Sequence, residues 1–263
     1  MEIIVAIKQV PDTTEAKIDP QTHTLIRKGL PNAINSFDEI AIEAAVRLKE
    51  QYGGNVTLIT MGPPSATHAL KIGLSMGADR AVLLSDKAFA GSDTWATALT
   101  LARAIETIGN YDILIFGKQS TDGDTAQVGP EVSTILNIPL ATYVIDIQKI
   151  DMDKQTFTAI RLVEEGKETV QTGLPVLITA NKGLAEPRYP NLVQVQKALK
   201  KNVDIWGIDD IRMNAEETGL NGSPTRVYRT FTPTSEHENH WYSGTVEEMS
   251  TKLTAALEEE ASI

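Results

Sequence analysis

Residues 117–130 form a polar, glycine-bearing stretch, Gly117-Lys-Gln-Ser-Thr-Asp-Gly-Asp-Thr-Ala-Gln-Val-Gly-Pro130, that could hold a nucleotide phosphate. The stretch follows Tyr111–Phe116, whose apolar run predicts a buried parallel strand, and precedes Glu131–Leu136, which predicts a helix. The free N–H groups and the dipole at a helix N-terminus both attract an anion. Gly117 and Gly123 fit this interpretation, because glycine lets a backbone approach a ligand closely.

The side chains of this loop suggest how a phosphate would be held. A carboxylate repels phosphate, so we expect Asp122 and Asp124 to shape the loop through turn and capping hydrogen bonds. The predicted nucleotide contacts are Thr125 and the backbone N–H groups of Ala126, Gln127 and Val128. The spacing matches neither G-x-G-x-x-G nor a Walker A loop.

Other polar residues were weighed as sites. A second helix opens with Ser92, Asp93 and Thr94, which predict an N-cap, and the hydroxyls of this segment could also meet a second phosphate or a ribose. His237 and His240 have helical spacing but no third ligand, so we predict no metal. No nucleophile–base constellation can be assembled, and we predict no catalytic residue.

A parallel sheet would bring these residues together. The predicted strands are Glu2–Lys8, Asn55–Met61, Arg80–Ser85, Asp112–Gly117 and Pro175–Ala180. The predicted helices are Phe37–Lys49, Pro64–Met76 and Thr94–Ile108. Their alternation predicts an α/β fold, a mostly parallel Rossmann-like sheet with helices on both faces. Ligands of such sheets bind at the C-terminal ends of the strands.

The remaining segments depart from this rhythm. Residues 157–172 predict an antiparallel hairpin at one edge of the sheet, turning at Gly166. After about residue 203 the core-building pattern fades, and only residues 245–259 predict a helix. We therefore expect an α/β nucleotide-binding domain at 1–203 and an extended C-terminal arm at 204–263.

Composition limits the function classes. The chain has 263 residues and a formal charge of −11, which disfavours nucleic acid as a partner. It has no cysteine, so thiolate catalysis and cysteine-ligated clusters are excluded, and any redox chemistry needs a bound cofactor. The N-terminus does not match a secretion signal, and no run is long enough to insert in a membrane. We expect a cytoplasmic protein.

The linked motifs resemble the small (beta) subunit of electron-transfer flavoproteins. Besides the loop, the resemblance rests on Val5–Val10, Asn35–Lys49, Leu74–Arg80 and Ala185–Tyr189, and it covers roughly residues 1 to 205. In that family this region binds an adenine nucleotide. The resemblance implies nucleotide contacts at Ala6, Asn35, Ser36, Phe37, Asp38, Met61 and Gly62. Residues alone would favour packing at Ala6 and helix capping at Asn35 or Ser36.

The resemblance leaves two cofactors open. Respiratory-type members bind structural AMP, whereas electron-bifurcating members bind FAD, which takes a hydride from NADH. Val10–Thr13 and Asp122–Pro130 look more like the bifurcating type. Gly123 and Ala126 stand where the other type tends to carry Asp and Asn, and their small size could make room for a dinucleotide. We expect FAD, with AMP as the alternative.

The resemblance also implies partners. The arm would wrap a large (alpha) FAD-binding subunit, and the electrons would go to ferredoxin or flavodoxin and to an acyl-CoA-type or other flavin dehydrogenase. Leu192 aligns with the leucine that docks on the dehydrogenase, and we expect Lys197 and Lys200 to orient the encounter.

Two rival classes share this type of fold. A universal-stress-type nucleotide sensor would carry G-x2-G-x9-G-S/T, and an ATP pyrophosphatase would carry S-G-G-x-D-S after the first strand. Neither motif is present, because Gln9-Val-Pro-Asp12 follows the first strand. Co-purification with a larger flavoprotein would exclude both classes.

Overall fold

The computed structural model describes residues 1–12, 17–18, 25–26, 32–228 and 240–260. The chain divides into two compact units, Met1–Arg226 and Val227–Ile263. The first unit thus continues past the boundary predicted after residue 203.

A mixed β-sheet forms the centre of the first unit. Its strands are β1 (Glu2–Ala6), β6 (Asn55–Met61), β7 (Arg80–Leu84), β8 (Ile113–Gly117), β9 (Leu140–Asp151), β10 (Thr156–Val163), β11 (Gly166–Gly173), β12 (Val176–Ala180) and β13 (Asp204–Trp206). Their order across the sheet is β11-β10-β9-β12-β8-β1-β6-β7-β13. In this order, every neighbouring pair from β9-β12 through to β7-β13 is parallel. Strand β10 pairs antiparallel with both β9 and β11. Two short antiparallel pairs lie outside this sheet and join β2 (Gln9–Pro11) to β5 (Asn32–Ile34) and β3 (Lys17–Ile18) to β4 (Leu25–Ile26).

Helices cover both faces of the parallel strands. They are α1 (Ser36–Tyr52), α2 (Thr67–Met76), α3 (Thr94–Ile108), α4 (Val128–Ile135), α5 (Leu192–Lys200) and α6 (Gly219–Gly222), and the second unit contains α7 (Val246–Glu260). Because successive side chains of a strand point to opposite faces of the sheet, the sheet has a hydrophobic core on each face. In β1, Ile3 and Val5 pack with the core that contains α1 and α2, and Ile4 and Ala6 pack with the core that contains α3.

The predicted α/β fold is confirmed, including the antiparallel hairpin at the sheet edge. Two elements differ from expectation. Helix α4 begins at Val128, three residues before its predicted start, so the polar loop is shorter than the sequence suggested. Strand β13 was missed, because its three residues are too few to show a period. Since β13 pairs with β7, residues 204–206 belong to the sheet and not to the arm.

Mutation of Phe157 in β10 tests whether the core extends to this edge of the sheet. The side chain of Phe157 is fully buried, so Phe157→Ala should lower the free energy of unfolding by about 3–5 kcal/mol, measured by urea denaturation. Leu162 on the same strand is 42% exposed and supplies the control, since Leu162→Ala should change stability by only about 0.5 kcal/mol. Equal losses would contradict the assigned burial.

Candidate functional site

A cavity of about 320 Å³ lies at the carboxyl ends of β1, β6 and β8, beside the N-termini of α3 and α4. Its floor is apolar and includes the buried side chains of Ala6, Leu101 and Phe116. Twelve of the predicted nucleotide-binding residues line it: Ala6, Asn35, Asp38, Met61, Asp93, Thr94, Gly117, Gly123, Thr125, Ala126, Gln127 and Val128.

Asn35 fastens the polar loop to the start of α1. Its side-chain N–H group donates to the Gln119 carbonyl at 2.8 Å, and its side-chain oxygen accepts from the Thr121 N–H at 3.1 Å. Asn35 stands at the N-cap of α1 but makes no side-chain capping bond. The capping role suggested by the residues alone is therefore wrong for Asn35, because its buried side chain is used by the loop.

The Asp38 carboxylate lies behind the loop, almost fully buried. It accepts hydrogen bonds from the Lys8 N–H at 2.7 Å and from the Asn35 side chain at 2.9 Å. Burial raises the pKa of Asp38 from 3.8 to about 7, although bonds from Asn35, Lys8 and Gly117 partly lower it. A methyl group on Gly117 would lie 2.0 Å from the Asp38 Oδ1 atom. Gly117 is therefore needed for the close approach of the carboxylate to β8.

Lysines balance the carboxylates around the loop. Lys8 Nζ lies 2.7 Å from Asp122 Oδ1, in a half-exposed ion pair. Burial would raise the pKa of Asp122, but the hydrogen bond and charge of Lys8 lower it. The contact of Asp122 is thus an ion pair with Lys8, which offsets the negative charge of Asp122 beside the cavity. Lys118 Nζ lies 5.8 Å from the Phe37 ring centroid and 5.4 Å from that of Tyr143, which are cation–π distances.

The N-terminus of α4 borders one end of the cavity. Asp124 and Ala126 have positive φ values of 56° and 54°, unusual for residues with a side chain. Gln127, the next residue, is in the right-handed region, and an alternation of left- and right-handed residues is the backbone pattern from which anion-binding nests are built. Among the described residues no side chain caps α4. Its first N–H groups are thus left for a ligand.

The N-terminus of α3 lies on another side of the cavity. Asp93 caps it, accepting from the Ala96 N–H at 3.0 Å, and also accepts from the Thr225 hydroxyl at 2.7 Å. Thr94 donates to Glu131 at 3.1 Å, which ties α3 to α4. Burial raises the pKa of Glu131. The N-cap predicted at Ser92-Asp93-Thr94 is confirmed, with Asp93 as the capping residue, and both carboxylate oxygens of Asp93 accept hydrogen bonds from the protein itself.

Comparison with known proteins identifies the family of this chain. Residues 22–211 match the model of the electron transfer flavoprotein domain. The electron transfer flavoprotein subunit beta of Thermoanaerobacterium thermosaccharolyticum is 47% identical over 98% of each chain. The caffeyl-CoA reductase-Etf complex subunit CarD of Acetobacterium woodii is 44% identical over 98% of each chain. Protein FixA of Azorhizobium caulinodans is 44% identical over 90% of this chain and 86% of the relative. The chain belongs to the electron transfer flavoprotein family, among its beta subunits. The two rival classes are thereby excluded.

Four predicted contacts of this flavoprotein subunit lie outside the cavity lining: Ser36, Phe37, Gly62 and Asp122. Phe37 and Asp122 instead contact lining residues, Phe37 through Lys118 and Asp122 through Lys8. Sequence reasoning missed several lining residues, among them Lys8, Lys118, Thr97 and Leu101. Their positions in the sequence could have identified them. Both lysines follow strand ends, and Thr97 and Leu101 lie on the same helical face as Thr94.

The other predicted features of this flavoprotein subunit lie away from the cavity. Leu192 is the first residue of α5 and is 81% exposed, and Lys197 and Lys200 are exposed on the same helix. His237, weighed as a metal ligand, lies outside the described residues. Within the described ranges no helix is long and apolar enough to cross a membrane.

Gly117→Ala should damage the nucleotide site of this flavoprotein subunit. The added methyl would collide with Asp38 Oδ1 and with the Asp38 N–H nitrogen at 3.1 Å, so we expect a loss of about 1–3 kcal/mol in stability. Nucleotide retained after purification should fall with it. Gly123→Ala is the folding control, because the nearest neighbour of the added methyl would be the Ser120 hydroxyl at 3.4 Å, an ordinary van der Waals contact. Equal stability of the two variants would contradict the close approach.

Asp38 should make stability depend on pH. Its pKa is raised from 3.8 to about 7, so the native state holds a proton that the unfolded chain releases. The contribution of Asp38 to stability is then fully present below about pH 4 and is lost as the pH rises through about 7. Urea midpoints of the wild type should therefore fall relative to those of Asp38→Asn over this range. Parallel curves would refute the raised pKa.

Proposed function

We propose that this beta subunit binds FAD in the cavity and acts in an electron-bifurcating heterodimer. The observation behind the proposal is the uncapped N-terminus of α4, whose N–H groups border an apolar-floored cavity. Such a site suits a phosphate joined to a flat, apolar ring system.

The residues present fit an adenine dinucleotide. Ala6 presents only a methyl group at the end of β1, which leaves space for a base to reach the main chain. The N–H groups of Ala126, Gln127 and Val128 would hold phosphate oxygens. Lys8 and Lys118 are lining cations that would offset the ligand's charge. When bound, the flavin supplies the hydride-accepting and electron-releasing chemistry that these side chains cannot.

Two lines support bifurcation. Gly123 and Ala126, the small residues of the loop, both line the cavity, so side-chain bulk there would reduce its volume. One close relative is named as part of a caffeyl-CoA reductase-Etf complex, and others as FixA. In the proposed function NADH delivers a hydride, and the electron pair divides between ferredoxin or flavodoxin and the FAD of the large subunit.

Structural AMP is the second candidate, and the cavity size favours it. A volume of about 320 Å³ lies near the lower end of ligand pockets, typically about 300–1,000 Å³. AMP would fill such a space, whereas the flavin end of FAD would extend beyond it.

The proposed partners are matched by exposed surfaces. In the second unit Val246, Leu253 and Leu257 are 80%, 49% and 57% exposed, at helical spacing on α7. We propose that this arm packs on the large subunit. In the first unit Leu192 lies on the same helix as Lys197 and Lys200, and an apolar anchor with basic neighbours suits an acidic-rimmed pocket on a flavin dehydrogenase.

Nucleotide content tests the proposal. The chain is co-expressed with its large subunit, the heterodimer is denatured, and FAD and AMP are separated by chromatography. We expect two FAD and no AMP per heterodimer, and NADH should bleach the flavin absorbance. One FAD and one AMP would refute FAD binding by this subunit and make it a structural half of a simple electron carrier.

A further inference from the structure

An ion-pair cluster centred on the buried Glu43 joins α1 to the segment before α5, away from the residues that line the cavity. Arg188 Nε lies 2.7 Å from Glu43 Oε2, and Arg188 Nη1 lies 2.6 Å from Glu50 Oε1. Arg188 Nη2 completes both forks, at 3.1 Å from Glu43 and 3.0 Å from Glu50. Arg47 Nε also donates to Glu43 Oε1, at 2.6 Å. One guanidinium thus binds two carboxylates bidentately.

The burial of Glu43 makes this cluster more than a surface pair. The side chain of Glu43 is only 2% exposed and that of Arg188 is 29% exposed. Burial alone would raise the pKa of Glu43, but hydrogen bonds from Arg188 and Arg47 lower it. Removing Arg188 would leave Arg47 as the remaining ion-pair partner of the buried Glu43 carboxylate among the described residues, and such a loss of compensation is costly for a buried charge. Neither Glu43 nor Arg188 lines the nucleotide cavity, so the proposed cofactor site does not explain them.

The cluster supports an exposed apolar surface. Tyr189 follows Arg188 directly and is 98% exposed, and Leu192 and Val193 are 81% and 59% exposed. The helix that carries Leu192 and Val193 is fixed at both ends. At its start Asn191 and Gln194 form a capping box, and at its C-terminal end Lys71 donates to the carbonyls of Ala198 and Leu199 in the last turn and of Lys201 just after it.

We propose that Arg188 and Glu43 are positioning residues that hold Tyr189, Leu192 and Val193 in the conformation that docks on a flavin dehydrogenase. The inference rests on the proposed docking role of Leu192 and extends it to Tyr189 and to the cluster. A surface that is already ordered loses little entropy on binding, which matters for a weak and rapidly exchanging contact. If loosening the cluster leaves about one tenth of molecules competent to dock, the apparent affinity falls about tenfold.

The experiment compares variants of the intact heterodimer. Arg188→Lys keeps the charge but loses the fork, and Glu50→Gln is a milder change, because Glu50 is half exposed. Arg103→Gln breaks the remote surface pair with Glu106 and is the control. Leu192→Ala removes the anchor alone. The readouts are hydrogen exchange of amides 189–195, nucleotide content, and KM and kcat for reduction of a flavin acyl-CoA dehydrogenase.

We expect Arg188→Lys to speed exchange at 189–195 and to raise KM about tenfold, with kcat and nucleotide content unchanged. Glu50→Gln should act in the same direction more weakly, and Arg103→Gln should have no effect. Leu192→Ala should raise KM without faster exchange. Unchanged exchange in Arg188→Lys would overturn the cluster's role. An unchanged KM in Leu192→Ala would overturn the docking function itself, and an unchanged KM in Arg188→Lys alone would overturn only the positioning.

Discussion

The buried carboxylate of Asp38 connects the three elements that build the site. It accepts the Lys8 N–H after β1, is bonded by Asn35 before α1, and lies so close to β8 that only glycine fits at residue 117. A charge in that position is costly, and burial accordingly raises the pKa of Asp38 to about 7, while hydrogen bonds from Lys8 after β1 and from Asn35 before α1 partly lower it. The polar loop is fixed by the same group, since Asn35 binds both Asp38 and the loop carbonyl of Gln119.

Charge is divided unevenly in this acidic chain. Lysines stand beside the loop, where Lys8 neutralises Asp122, and the exposed helix α5 carries Lys197 and Lys200.

The two helix N-termini that border the cavity differ in how they are capped. Asp93 caps α3, whereas the start of α4 has no side-chain cap among the described residues. The start of α3 is therefore satisfied by the protein's own side chain, whereas the first N–H groups of α4 have no side-chain partner from a cap among the described residues.

Periodicity and strand-end position predicted most of the fold. The bounds of β6 and α3 were predicted to the residue, because each is a long segment with one clear period. The three-residue β13 has no period to detect. The position of the loop at the strand ends was predicted, but the use of the Asn35 side chain was not, because it depends on a contact 84 residues away. Lys8 and Lys118 stand where a strand-end rule would have found them. The pairing of Arg188 with Glu43, 145 residues apart, leaves no local pattern.

The central claim is that the N-terminus of α4 holds a nucleotide phosphate. The most direct test is a crystal structure of the heterodimer with the nucleotide it retains through purification. The account predicts phosphate oxygens within hydrogen-bonding distance of the N–H groups of Ala126, Gln127 and Val128, with the adenine against Ala6. A nucleotide whose phosphates lie away from α4, or a beta subunit that binds none, would contradict it.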